Sequence, residues 1–170
     1  MKINFLMKKI NLKKIDVIFL DFDGVLTDNY FYQDQKGIET VKLSRSDGLA
    51  FNALKILKKP VYIISTEKNE VVKFRGKKLG VKTFNAVKNK KEKILSICKK
   101  AKFNQNNAIF IGNDINDLEA MKICGYSICP SDSHEDVLKI SSFVTISKGG
   151  KGVIREIVEK ILNIDMKGLI

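Results

Sequence analysis

Three short apolar runs, each ending on a polar residue, constrain this chain more than anything else in it. Val17-Ile18-Phe19-Leu20 runs into Asp21, Val61-Tyr62-Ile63-Ile64 into Ser65, and Ala108-Ile109-Phe110-Ile111 into Gly112-Asn113-Asp114. Continuous apolar runs of this length read as strands covered on both faces. Segments with helical spacing lie between them, and that alternation predicts an α/β fold: a doubly wound, Rossmann-like, mostly parallel sheet with helices on both faces. Such sheets bind ligands beyond the carboxyl ends of their strands. Asp21, Asp23, Ser65, Lys90 and Asp114 are therefore expected to converge on one pocket.

The intervening residues supply the other elements. Residues 28 to 43 carry alternating apolar positions (Ile38, Val41, Leu43) around Gly37, the pattern of a small β-hairpin or flap. Asp47 is placed to cap a helix running to about Lys58, which Pro60 would end. Asn69 to Leu79 predicts an amphipathic helix closed by Gly80, followed by a short strand at Val81 to Phe84. Lys90 to Ala101 and Asn116 to Ile123 predict helices, Tyr126 to Cys129 and Phe143 to Ile146 strands, and Val153 to Leu162 a last helix after a glycine-rich link. His134, the single histidine, sits in a turn leading into a helix, where it suits a cap better than catalysis.

A length of 170 residues with 44% hydrophobic content suits one domain over 1–170, with a flap at about 29–43 and a glycine-rich tail at about 148–152. The tail reads equally as a lid or as a linker. The formal charge of +12 raises the question of nucleic acid. However, only Arg45, Arg75 and Arg155 are arginines, and the lysines spread along helix-like segments, so a solvated basic surface is the better reading and no nucleic-acid partner is expected. Cys98, Cys124 and Cys129 lack paired spacing and indicate neither zinc nor a disulfide framework. Met1 to Lys14 is basic, the apolar run after it is short and flanked by Asp16 and Asp21, and no signal or membrane segment is expected. A cytoplasmic protein follows as the expectation.

Asp21-Phe22-Asp23-Gly24-Val25-Leu26-Thr27-Asp28 sets two carboxylates two residues apart just beyond a strand. In an extended stretch both face the same way. One can serve as nucleophile and the other as acid and base if their surroundings separate their pKa values. Gly24 permits a sharp turn that brings backbone N–H groups toward phosphate oxygens. Taken alone the motif also suits a solvated turn or a calcium loop, but the twelfth position from Asp21 is Tyr32, where an EF-hand needs glutamate. Ser65 alone could be a helix cap, Lys90 a solvent-facing lysine, and Gly112-Asn113-Asp114-Ile115-Asn116-Asp117 an Asx-rich turn. Their order and strand-end positions give the combination its meaning.

With those residues in that order, the chain resembles the haloacid dehalogenase superfamily of aspartate-nucleophile phosphatases over nearly its whole length. The resemblance implies Asp21 as nucleophile, Asp23 as general acid and base, and Ser65, Thr66, Lys90 and Gly24 around the phosphate. It also implies Mg2+ held by the Asp21 carboxylate, the Asp23 carbonyl and Asp114. Many members carry aspartate where this chain has Asn113, so the metal carboxylate falls to Asp114, with Asn113 and Asp117 behind it and Asp117 orienting the lysine.

Too few residues separate Thr27 from Ser65, or Ser65 from Lys90, for the cap domain many members carry. The chain thus resembles the capless group of octulosonate 8-phosphate phosphatases, nonulosonate 9-phosphate phosphatases and phosphatase-like domains attached to sialic acid cytidylyltransferases. Ser46-Asp47-Gly48-Leu49-Ala50 and Gly149-Gly150-Lys151-Gly152-Val153-Ile154-Arg155-Glu156 extend that likeness. Ser65-Thr66-Glu67-Lys68-Asn69 is more similar to the nonulosonate branch than the Thr-Gly-Arg of octulosonate enzymes. It implies Glu67 and Arg75 as contacts to a sugar acid; an ordinary first-turn charge and a surface pair remain open for both. The likeness also implies a homotetramer in which a neighbour's hairpin closes the site. The alternatives are octulosonate 8-phosphate hydrolysis and a non-catalytic assembly module, against which intact Asp21 and Asp23 argue.

Overall fold

The computed structural model describes residues 9–169; the first eight residues of the basic stretch Met1 to Lys14 lie outside it. Its centre is a six-stranded, wholly parallel sheet built from β1 (Val17–Leu20), β4 (Val61–Ile64), β5 (Lys82–Phe84), β6 (Ala108–Ile111), β7 (Tyr126–Cys129) and β8 (Phe143–Val144). The spatial order is β5-β4-β1-β6-β7-β8. A separate antiparallel hairpin, β2 (Thr27–Gln33) with β3 (Glu39–Leu43), rises from the end of β1.

The strand-to-strand alternation of side chains divides the core into two layers. Ile18, Leu20, Ile63, Ile109, Ile111 and Ile128 face one side, under α1 (Ser46–Ile56), Val72 of α2 (Val71–Leu79) and α6 (Val153–Glu156). Val17, Phe19, Ile64, Ala108, Phe110 and Cys129 face the other. There they meet α3 (Lys90–Ala101), α4 (Leu118–Ile123) and Val137 of α5 (Glu135–Ile140). Both faces being covered explains why the strands read as unbroken apolar runs.

The chain moves outward from β1 through β4 to β5, then crosses to β6 on the opposite side of β1. This reversal leaves a crevice beyond the carboxyl ends of β1 and β6. Register places Leu20 beside Ile111 and Ile63, and Asp21 N–H continues the ladder to the Ile111 carbonyl at 2.9 Å. The residues following all three strands consequently share one edge.

Several expected boundaries shift. Asp47 does not cap its own helix: it lies buried inside the first turn of α1, and its Oδ1 accepts from Arg155 N–H at 3.0 Å, tying α1 to the start of α6. That helix stops at Ile56, two residues before Lys58 turns left-handed at φ 53°, so Pro60 is not what ends it. Asn69 stays outside α2 and its Oδ1 accepts from Val71 N–H. Asn116 falls in a 3₁₀ turn, Ile115–Asp117, that leads into α4. The strand expected to reach Ile146 ends at Val144, because the N–H groups of Ile146 and Ser147 bond the Glu156 carboxylate instead. The last helix passes after Glu156 into a π-turn at Ile157–Ile161.

The glycine-rich run is a packed strap. Gly149 N–H donates to Asp132 Oδ1 and Gly150 N–H to the Val25 carbonyl. A Cβ on Gly149 would strike the Gly24 carbonyl, so side chains are excluded where the strap crosses the loop after β1.

Candidate active site

Asp21 and Asp23 form part of the floor of a cavity of about 500 Å3 at the crevice, within the usual range for small-molecule sites. Asn113 and Asp114, from the loop after β6, line it too. The hairpin contributes Asn29, Tyr30, Phe31, Glu39 and Val41 to one wall. Thr66, Glu67, Asn69, Val71 and Val72 form a second, and Ile115 and Asn116 complete the rim.

Behind the floor lies a buried ion triad. Lys90 Nζ donates to Asp21 Oδ2 at 2.8 Å and Asp117 Oδ1 at 2.7 Å, all three side chains being nearly sealed from solvent. The other Asp117 oxygen accepts from Asn113 N–H at 2.9 Å and Asp114 N–H at 3.4 Å, fixing the loop after β6. Asn89 caps α3 by accepting from Glu92 N–H, so Lys90 enters from a fixed first turn.

The two floor carboxyls have different surroundings. Burial, then the Asp117 charge, pushes Asp21 up to about 7 against the opposing pull of Lys90 and Phe22 N–H. Burial also raises Asp23; the Thr27 hydroxyl bond opposes this, while the charges of Glu67 and Glu39 add to it. Burial works to lower Lys90, but Asp21 and Asp117 outweigh it and hold the ammonium charged. Thr27 Oγ1 anchors the turn: it donates to Asp23 Oδ1 and accepts from Gly24 N–H. Gly24, at φ 71°, leaves room for the Asn113 amide, which a Cβ would strike.

The remaining candidates divide. Thr66 and Glu67 line the cavity, whereas Ser65, Lys90, Gly24 and Asp117 lie outside its lining. Ser65 is buried and its Oγ accepts from Glu67 N–H, which shapes the turn after β4. Arg75 is not brought to the cavity. Its Nη2 donates to the Ser44 carbonyl at the foot of the hairpin, and its charge is felt by buried Asp47. Residues 75 and 67 therefore do not form one subsite in this chain. Glu39 and Asn29 join the wall without a sequence signal, since each is an isolated polar residue until the hairpin folds over the crevice, whereas Asn69 and Asn116 join it from the two motifs after β4 and β6. His134 accepts from Asp136 N–H through Nδ1 and caps α5.

The oxygen donors suit a hard divalent cation. Asp21 and Asp114 offer carboxylates on one cavity, and magnesium takes one or two such groups together with phosphate and water. No trio of His, Cys, Asp or Glu side chains that could hold a metal gathers among the described residues. Asp23 Oδ1 accepts from the Thr27 hydroxyl, which engages that oxygen within the turn. Asn113 Oδ1 is buried with no partner, a further neutral oxygen beside the floor.

The sequence profile of haloacid dehalogenase-like hydrolases matches residues 58–157. The chain belongs to this family. Among its relatives is a 3-deoxy-D-manno-octulosonate 8-phosphate phosphatase of Haemophilus influenzae, 31% identical over 152 residues, covering 89% of this chain and 84% of that protein. The Salmonella typhi enzyme of the same name is 28% identical over 88% of this chain and 80% of its own length. Among solved structures, the Moraxella catarrhalis phosphatase of that name, in complex with magnesium, phosphate and KDO, superposes with a TM-score of 0.85. It is 29% identical and covers 89% of this chain and 88% of its own. A cobalt-bound form from Haemophilus influenzae gives 0.84 at 28% identity over 92% and 91% of the two chains. The family is one of hydrolases, and this member shows a parallel sheet with a small hairpin and, among the described residues, no inserted cap. No helix among the described residues is long and apolar enough to cross a membrane.

Proposed function

We propose that this chain is a magnesium-dependent phosphatase that hydrolyses a sugar-acid phosphate of the nonulosonate 9-phosphate type, through an aspartyl-phosphate on Asp21. One observation carries the reading: two carboxyls in different surroundings share a cavity floor, Asp21 gripped by a buried lysine and Asp23 bonded to the Thr27 hydroxyl, with burial raising its pKa. The Asp21 carboxylate attacks phosphorus while the bond from phosphorus to the leaving oxygen breaks. Asp23 gives its proton to that oxygen. Asp23 then takes a proton from water, whose oxygen attacks phosphorus and frees Asp21 and inorganic phosphate. Lys90 holds Asp21 in place for both steps, and Thr27 holds Asp23. A magnesium ion at Asp21, Asp114 and the Asp23 carbonyl would reduce the repulsion between an anionic nucleophile and an anionic ester.

The nine-carbon reading rests on Glu67, which stands on the cavity wall where a sugar hydroxyl can donate to it. The octulosonate 8-phosphate reading is favoured by the relatives. The purified chain with magnesium should hydrolyse nine-carbon sugar-acid phosphates, lose that activity to a chelator and regain it when magnesium is restored. Turnover of the eight-carbon ester alone would move the assignment to the second reading, and undiminished turnover under chelation would remove the metal.

Assembly as a homotetramer, with a neighbour's hairpin over the cavity, belongs to the same proposal. Tyr30 is 76% exposed, Phe31 58% and Tyr32 72%, a cost in water that a covering neighbour would relieve. Replacing Tyr30 and Tyr32 with serine should convert the assembly to smaller species in light scattering; an unchanged mass would place the interface elsewhere.

A further inference from the structure

The cavity lining contains five carboxylate residues, Asp21, Asp23, Glu39, Glu67 and Asp114, and neither lysine, arginine nor histidine. For a site that receives a phosphate ester this is an unfavourable field unless each carboxylate has a partner when substrate is bound. Asp21 and Asp114 face the proposed cation and Asp23 Oδ1 accepts from the Thr27 hydroxyl, so Glu39 and Glu67 are left.

Glu39 is the one of the two whose carboxylate is held by a hydrogen bond. It lies half-buried on β3, and its Oε2 accepts from Asn69 Nδ2 at 2.9 Å. Asn69 is itself held, because its Oδ1 accepts from Val71 N–H at 3.0 Å at the start of α2. Helix, asparagine and glutamate thus form a chain of fixed geometry from the β4 side of the cavity to the hairpin. Glu39 forms no ion pair among the described residues. Its Oε1 has no hydrogen-bond partner there either.

We propose that Glu39, held by Asn69, is the residue that selects a hydroxyl-rich leaving group, its unpartnered Oε1 accepting a hydrogen bond from a sugar hydroxyl. This inference rests on the phosphatase reading above and deepens it. An ester with hydroxyls gains a charge-assisted bond, and an ester without them meets a bare carboxylate. The same wall repels a second anionic group, so the carboxylate of a sugar acid must lie away from Glu39. Asn69 is a positioning residue: it fixes which oxygen faces the substrate.

The test compares wild type, Glu39→Ala, Glu39→Gln and Asn69→Ala on a panel of hydroxyl-rich esters and on p-nitrophenyl phosphate, which has no hydroxyl. The panel holds nine- and eight-carbon sugar-acid phosphates and sorbitol 6-phosphate. The quantity read is the ratio of kcat/KM for the best hydroxylated ester to that for p-nitrophenyl phosphate. Glu39→Ala should lower the ratio by about tenfold or more, and Glu39→Gln and Asn69→Ala should lower it by less. Glu39→Gln can keep the Asn69 bond, so its effect reports on the accepting charge even if the alanine variant disturbs the hairpin. A ratio unchanged within about twofold in Glu39→Ala and Glu39→Gln overturns the inference, as does a wild type with no preference for hydroxylated esters. Wild type that prefers sorbitol 6-phosphate to both sugar acids defeats the sugar-acid assignment while leaving Glu39 to be judged by its own ratio.

Discussion

Asp21→Asn is expected to abolish phosphate release, by at least about 10^4-fold in kcat, while raising the melting temperature of the metal-free protein at alkaline pH. The two effects have one cause. Burial and Asp117 raise the folded-state pKa of Asp21 from 3.8 to about 7, so the folded chain holds a proton that the unfolded chain has released between those values. Stability from this group therefore falls as pH rises through that window and is lowest above about 7, where a poorly solvated carboxylate must stay charged. Asparagine keeps the shape and has nothing to titrate. The variant's gain should be several degrees at pH 8 and should shrink at pH 5, as read by thermal melts in metal-free buffer. Normal turnover in the variant would remove Asp21 as the nucleophile; a gain equal at both pH values would remove buried charge as its cost.

What could be read from the sequence followed how local each cause was. β1, β4 and β6 were legible because burial on both faces writes itself as an unbroken apolar run, and α3 because the spacing of Ile94, Leu95, Cys98 and Ala101 acts within a few residues. The floor pair was legible because its carboxylates lie two residues apart in one motif. Asp47 was misread because its acceptor role is set by α6, more than a hundred residues on, and not by its own helix. The shortened β8 has the same origin, since Glu156 draws two N–H groups out of the ladder. Arg75 has the right chemistry for a carboxylate, but its guanidinium is turned to Ser44 at the foot of the hairpin, away from the cavity. The pairing of Glu39 with Asn69 could not be found beforehand: only the folding of one loop over another makes them neighbours.

Lys90→Met should cost the fold about 3–5 kcal/mol near neutral pH and reduce kcat by about 10²-fold or more. Lys90 is the only cation within ion-pair distance of Asp21 and Asp117 among the described residues, and all three are nearly sealed from water. Methionine fills the space and leaves two like charges with no counter-ion. The loss must depend on pH in a definite sense. Burial and Asp117 already raise the Asp21 pKa in the intact triad, and without Lys90 its folded-state pKa moves further upward. The variant therefore becomes less stable relative to wild type as pH rises toward 8. It recovers toward pH 5, where a protonated Asp21 no longer opposes Asp117. Urea denaturation of both proteins at pH 5.5 and 8 reads this difference, and equal gaps at the two pH values would refute the triad as a unit. Asp117→Asn in the Lys90→Met background supplies the second leg of the argument. Removing one of the stranded charges should return part of the lost stability, whereas the same substitution in wild type should lower it. Opposite signs for one substitution can arise only if the lysine and aspartate act on each other, which is what the 2.7 Å contact asserts.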